Sequence, residues 1–124
     1  MSIRYDVQII YGFACDNPVA RDRKTGTPTY LADWLLEHRP DLEQWNAGKS
    51  NGGDPCFFVG VLMAEVKDVG RTTQPWSVIT PAHLIPSADV QAEVAAAFSD
   101  LLALDASLLN HDAAIGVYLI GDVA

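Results

Sequence analysis

The apolar residues of this chain fall into six short runs whose spacing switches between period two and the helical period. That succession constrains the fold more than any motif does. The runs are Tyr5–Ala14, Pro28–His38, Cys56–Val66, Thr73–Thr80, Ser87–Leu104 and Ala114–Gly121. Read by periodicity, they give strand, helix, strand, strand, helix, strand. This order predicts a single α+β domain over residues 1–124: a ferredoxin-like βαββαβ sandwich, with an antiparallel sheet carrying two helices on one face.

Tyr5, Val7, Ile9, Tyr11 and Phe13 alternate with smaller or polar residues, the pattern of a strand with one buried face. From Cys15 to Gly26 the chain is polar and rich in turn formers, which predicts a long surface loop. Thr27 followed by Pro28 reads as a helix start, with Leu31, Trp34, Leu35 and His38 at helical spacing and Pro40 as the stop. A short turn is expected through Asp41, Leu42 and Trp45, then a flexible connection over Asn46–Pro55. Lys67–Arg71 suits a hairpin link. Ser87 caps the second helix, with Val90, Val94, Ala97, Phe98, Leu101 and Leu104 as its inward stripe. Asp105 would enter that stripe, so the helix is expected to end near Leu104.

In a ferredoxin-like order the strand Cys56–Val66 lies at an edge, although it is apolar on both faces. A long apolar edge invites pairing with another chain, so a homodimer burying this strand is expected.

Length and charge narrow the function. With 124 residues and 49% hydrophobic content, one core can bury roughly two-thirds of the unfolded surface. No uninterrupted apolar stretch reaches the roughly 18 residues of a membrane span, and the first residues do not read as a signal peptide, so a soluble, cytoplasmic protein without membrane contact is expected. Cys15 and Cys56 are the two cysteines and read as reduced thiols. The formal net charge is −8. Residues 1–40 balance at five basic and five acidic, but after Arg71 there are six acidic residues and no basic one. Direct binding of DNA or RNA needs clustered cations, so nucleic-acid binding is disfavoured; the acidic surface suits solubility first and steering toward a basic protein second.

Catalytic and ligand-binding signatures are weak. Gly48-Lys49-Ser50 resembles the end of a phosphate-binding loop, but Glu43 stands where its first glycine belongs and Gly52-Gly53 follows where a helix should begin. His38, His83 and His111 lack metal-ligand spacing; His38 suits a helix C-terminus, and Asn110-His111-Asp112 suits a turn. Arg21, Arg23 and Lys24 form one cationic cluster beside Asp16 and Asp22. No catalytic residue, cofactor or metal is expected.

The leading expectation is therefore a noncatalytic, acidic interaction or regulatory protein that binds a protein partner. A specific form of it is a phage-type inhibitor of a basic nucleic-acid-binding protein. Asp89, Glu93 and Asp100 share one flank of the second helix and are the candidate partner-binding residues. Two other expectations stand beside it: a small-molecule binder or small enzyme with a cleft between the sheet and the loops Cys15–Gly26 and Asn46–Pro55, and a structural or assembly subunit.

Overall fold

The computed structural model describes residues 5–47, 56–66, 79–109 and 114–123. In chain order they form β1 (Tyr5–Cys15), β2 (Val19–Arg21), β3 (Pro28–Tyr30), α1 (Leu31–His38), β4 (Glu43–Ala47), β5 (Cys56–Val66), α2 (Ala88–Leu104) and β6 (Gly116–Val123), with 3-10 turns at Pro81–Leu84 and Ala106–Leu108. This is an α+β architecture. An antiparallel four-stranded sheet runs β4-β5-β1-β6, and β2 and β3 form a separate two-stranded ladder.

Both helices join one core with the sheet. Phe13 on β1 pairs directly with Val59 on β5, and over them pack Leu31, Trp34 and Leu35 of α1 with Val94, Ala97 and Leu101 of α2. Phe13, Val59, Val94 and Leu101 are fully buried, and the Phe13 and Phe98 rings meet edge to face at 5.2 Å. The inward stripe expected for α2 holds: Ser87 Oγ accepts from Val90 N at 3.3 Å, and the helix ends at Leu104 with Asp105 as its cap.

The strand order departs from the ferredoxin-like one. Cys56–Val66 is an interior strand, paired along β1 on one side and with β4 over Cys56–Gly60 on the other. Over Cys56–Gly60 the strand is therefore no edge, and the edge argument for a homodimer loses its basis there. The expected hairpin Lys67–Arg71 and most of the expected strand Thr73–Thr80 lie outside the described residues; Ile79 and Thr80 belong to no strand.

Three local expectations are corrected. Pro28–Tyr30 is a strand rather than a first helical turn: Thr29 pairs with Ala20, and Leu31 N donates to Pro18 O at 2.7 Å. Proline's fixed φ and missing N–H suit the margin of a short ladder as well as they suit a helix start. The Cys15–Gly26 segment holds β2 for the same reason. Glu43–Ala47, expected as the end of a short turn and the start of a flexible connection, pairs as β4 with β5, because Trp45 gains Phe58 as its cross-strand partner.

On the face away from the helices, Gly60, Gly12 and Gly116 stand in one row across β5, β1 and β6. A Cβ built on Gly12 would lie 1.9 Å from Val59 O, and one on Gly60 would lie 2.0 Å from Tyr11 O. Such backbone proximity requires a sheet bent sharply toward this face. Accordingly, Cα atoms of the outer strands β4 and β6 come within 8 Å, and the Phe58 and Tyr118 rings, from strands on either side of β1, meet at 5.1 Å. Ile10, Ala14 and Ile120 are buried beneath the bend. Opposite Ile9 and Ile10 the register jumps from Ala64 to Leu62, leaving Met63 as a bulge that adds twist.

Candidate functional site

The flank of α2 that carries Asp89, Glu93 and Asp100 faces the end of α1 and the chain that follows it. These residues recur four and seven positions apart, so their side chains stack along one side of the helix. The guanidinium of Arg39, at the C-cap of α1, sits between two of them. Nη2 donates to Asp100 Oδ2 at 2.8 Å, and Nη1 stands 3.4 Å from Glu93 Oε2. The Arg39 pKa is raised, chiefly by the hydrogen bond it donates to Asp100; desolvation, the next largest effect, opposes this, and the charges of Glu93 and Asp100 add to the rise. Arg39 Nε is enclosed with no partner among the described residues, which limits what the clamp adds to stability.

Two clefts flank the Arg39 clamp, one beside Glu93 and one beside Asp100. Toward the α2 N-terminus, a cleft of about 340 Å³ has an apolar floor of Leu42, Val61 and Val90 and carboxylates at Asp41, Asp89 and Glu93. Asp89 sits in the first turn of α2, where its charge also complements the helix dipole. Toward the C-terminus, a cleft of about 450 Å³ is lined by Asp22, Arg23, Lys24, Trp34, Asp100 and Leu104, so its two cations are matched by two carboxylates. The three acids read from the sequence are thus brought to one groove but not to one role. Asp89 and Glu93 rim the acidic cleft, and Asp100 belongs to the clamp.

The cations of the second cleft come from the turn joining β2 to β3. Asp22 Oδ1 accepts from Lys24 N at 2.7 Å and Thr25 N at 3.4 Å, Gly26 N donates to Asp22 O, and Gly26 takes the positive φ of 71° that closes the turn. Arg21 Nη1 is held by Gly26 O at 3.1 Å. The Arg23 and Lys24 side chains carry no hydrogen bond or ion pair among the described residues, and both are exposed.

A neighbouring polar cleft of about 490 Å³, lined by Asn17, Arg21, Arg23, Asp105 and Ser107, lies beside Cys15–Gly26 but away from the four-stranded sheet, and so meets only one side of the cleft expected between that sheet and the two loops. Its chemistry is structural. Asp105 accepts from Ser107 Oγ at 2.6 Å, Ser107 N at 3.1 Å and Arg21 N at 2.9 Å, tying β2 to the end of α2. Those bonds, led by the Ser107 hydroxyl, hold the Asp105 carboxyl below its usual pKa, the reverse of what a general acid needs at neutral pH. Among the described residues no imidazole lines the cleft beside Ser107.

The remaining candidates divide by location. Cys15 is fully buried and packs as a small apolar residue in the core. His38 stacks on Trp34 at 4.8 Å, and its Nδ1 lies 3.0 Å from Trp34 O, as suits the last turn of a helix. Among the described residues no three His, Cys, Asp or Glu side chains converge as metal ligands, and no helix is long and apolar enough to cross a membrane. Gly48-Lys49-Ser50, Asn110-His111-Asp112 and the side chains of Cys56 and His83 lie outside the described residues. Arg39 is the residue of this groove that the sequence does not announce; it follows a helix C-terminus like many arginines, and its partners are far along the chain.

Comparison with family models, with curated proteins and with solved structures found no match.

Proposed function

We propose that this protein acts without catalysis, by binding a basic segment of a protein partner in the acidic cleft of the α1–α2 groove. The observation that carries this reading is the pairing of an apolar floor, Leu42, Val61 and Val90, with rim carboxylates at Asp41, Asp89 and Glu93. An apolar anchor supplies burial there, and a flanking Lys or Arg meets the carboxylates at the margin. The overall charge of −8 steers such a partner in and repels acidic ones. A basic nucleic-acid-binding protein is the partner class with the matching field, and occupying its cationic surface would block its ligand.

Titration with a synthetic Lys- and Leu-rich helical peptide, followed by NMR, tests the reading. Amide shifts are expected at Leu42, Val61, Asp89 and Val90, weakening as salt rises. The variant D89N/E93Q should lose most of the affinity. Shifts scattered over the surface, or binding indifferent to that variant, would refute the assignment.

A further inference from the structure

We infer that the surface taking the basic segment continues from the acidic cleft onto the turn before α2, so that the segment it fits is amphipathic as well as basic. Leu84 and Ile85 seat a second apolar anchor beside the first. This rests on the proposed use of the cleft and adds the form of the segment it takes.

The turn differs from the rest of the chain. From Ile79 to Ala88 there is no Asp, Glu, Lys or Arg, although 19% of all residues are charged. Its apolar side chains nonetheless face solvent: Ile79, Leu84 and Ile85 are 40%, 45% and 68% exposed, and Pro81 and Ala82 are exposed with them. A single apolar residue on a surface needs no explanation, but a run of them without charge marks a contact surface.

The turn is also fixed beside the cleft. The 3-10 turn Pro81–Leu84 lies against β5, the strand that supplies Val61 to the cleft floor. At the other end Gln91 Nε2 donates to Pro86 O at 3.0 Å, and Gln91 N donates to Ser87 O at 3.0 Å. Ile85 is thereby displayed next to the first turn of α2, where Asp89 and Val90 line the cleft. Two extended steps and three helical ones separate Ile85 from Val90, which puts the two apolar subsites on the order of 10 Å apart. Two turns of a helix span about the same distance, so a helical segment reaches both with apolar residues at i and i+7.

Charge gives the occupant its sign. Asp41 and Asp89 carry no hydrogen bond or ion pair among the described residues, and Arg39 holds Glu93 at 3.4 Å, the longer of its two contacts. Carboxylates therefore remain to meet Lys or Arg between the two anchors. A lipid surface is the other class of partner that an apolar turn could meet. The net charge of −8 and the lack of any Lys or Arg from Ile79 to Glu93 oppose an anionic membrane.

Isothermal titration calorimetry of the full chain with two helical peptides of identical composition tests this. One carries leucines at i and i+7 with lysines beside them; in the other the same leucines lie on opposite faces. The wild type is expected to bind the first about tenfold more tightly, with the more negative heat-capacity change that apolar burial produces. L84S/I85S, altered only at exposed side chains, should lose that preference but keep the weaker, salt-sensitive binding that D89N/E93Q removes. I85S alone should shift affinity in the same direction by a smaller factor. Equal affinity of the wild type for the two peptides, a preference that survives L84S/I85S and I85S, or co-sedimentation with phosphatidylcholine vesicles that L84S/I85S abolishes would each overturn the inference and leave the cleft reading standing. Binding by D89N/E93Q equal to the wild type would remove the cleft reading, and this inference with it.

Discussion

Arg39 and Asp100 meet at 2.8 Å, Nη2 to Oδ2, and the same guanidinium reaches Glu93 two turns earlier at 3.4 Å. One residue at the end of α1 therefore spans the flank of α2 between the two clefts. The difference in distance ranks the two contacts. In a double-mutant cycle read by thermal midpoint, R39M with D100N is expected to show the larger coupling, and R39M with E93Q the smaller. Both should shrink as salt rises, since the pairs are partly exposed. Equal couplings would remove the clamp as described.

Asp105 predicts a pH effect of definite sign. Its native pKa is depressed, so its contribution is complete above the unfolded value of about 3.9 and is lost as pH falls through the native value. Removing its oxygens with D105A should cost about 1 kcal/mol at pH 7, mostly from the lost cap and the unpaired Arg21 N, because solvent screens the charge part. The gap between wild type and D105A should narrow below about pH 4 in urea melts recorded as a pH series.

The glycine row separates into tolerant and intolerant positions. A methyl group at Gly12 or Gly60 meets backbone atoms at about 2 Å, whereas nothing lies within 4 Å of one at Gly116. G12A and G60A are expected to cost about 3 kcal/mol or more, and G116A less than about 1 kcal/mol. Urea midpoints of the three variants check the contrast.

Two leucines should differ as sharply. Leu101 is fully buried in the shared core, and L101A is expected to cost about 2–5 kcal/mol. Leu119 on β6 is 71% exposed, so L119S should change stability by no more than about 0.5 kcal/mol. Chemical denaturation of both variants measures the difference.

Elements whose signals are local could be read from the chain. Ser87 and Asp105 bracket α2 because capping is decided within a few residues, and the alternation in β1 is plain because one face packs a core. The short strands were hidden because their stability is borrowed: Trp45 is strand-like only once Phe58 lies opposite, and Thr29 only once Ala20 does. Strand order was beyond local reading, since the pairing of Gly12 with Gly60 is a contact between distant segments. The same limit applied to the site. The common flank of Asp89, Glu93 and Asp100 follows from helical spacing, but the engagement of Glu93 and Asp100 by Arg39 spans 54 and 61 residues.

The close passage of β1 over β5 also forbids alternatives. If β5 slipped by one position along β1, Val59 or Val61 would stand where Gly60 now is, and a branched side chain would have to enter the backbone of Tyr11 and Gly12. Misaligned sheets, otherwise accessible to a segment as evenly apolar as Phe57–Met63, are thereby excluded by volume rather than by hydrophobic pattern. Two residues with no side chains act as the alignment pin of the whole sheet.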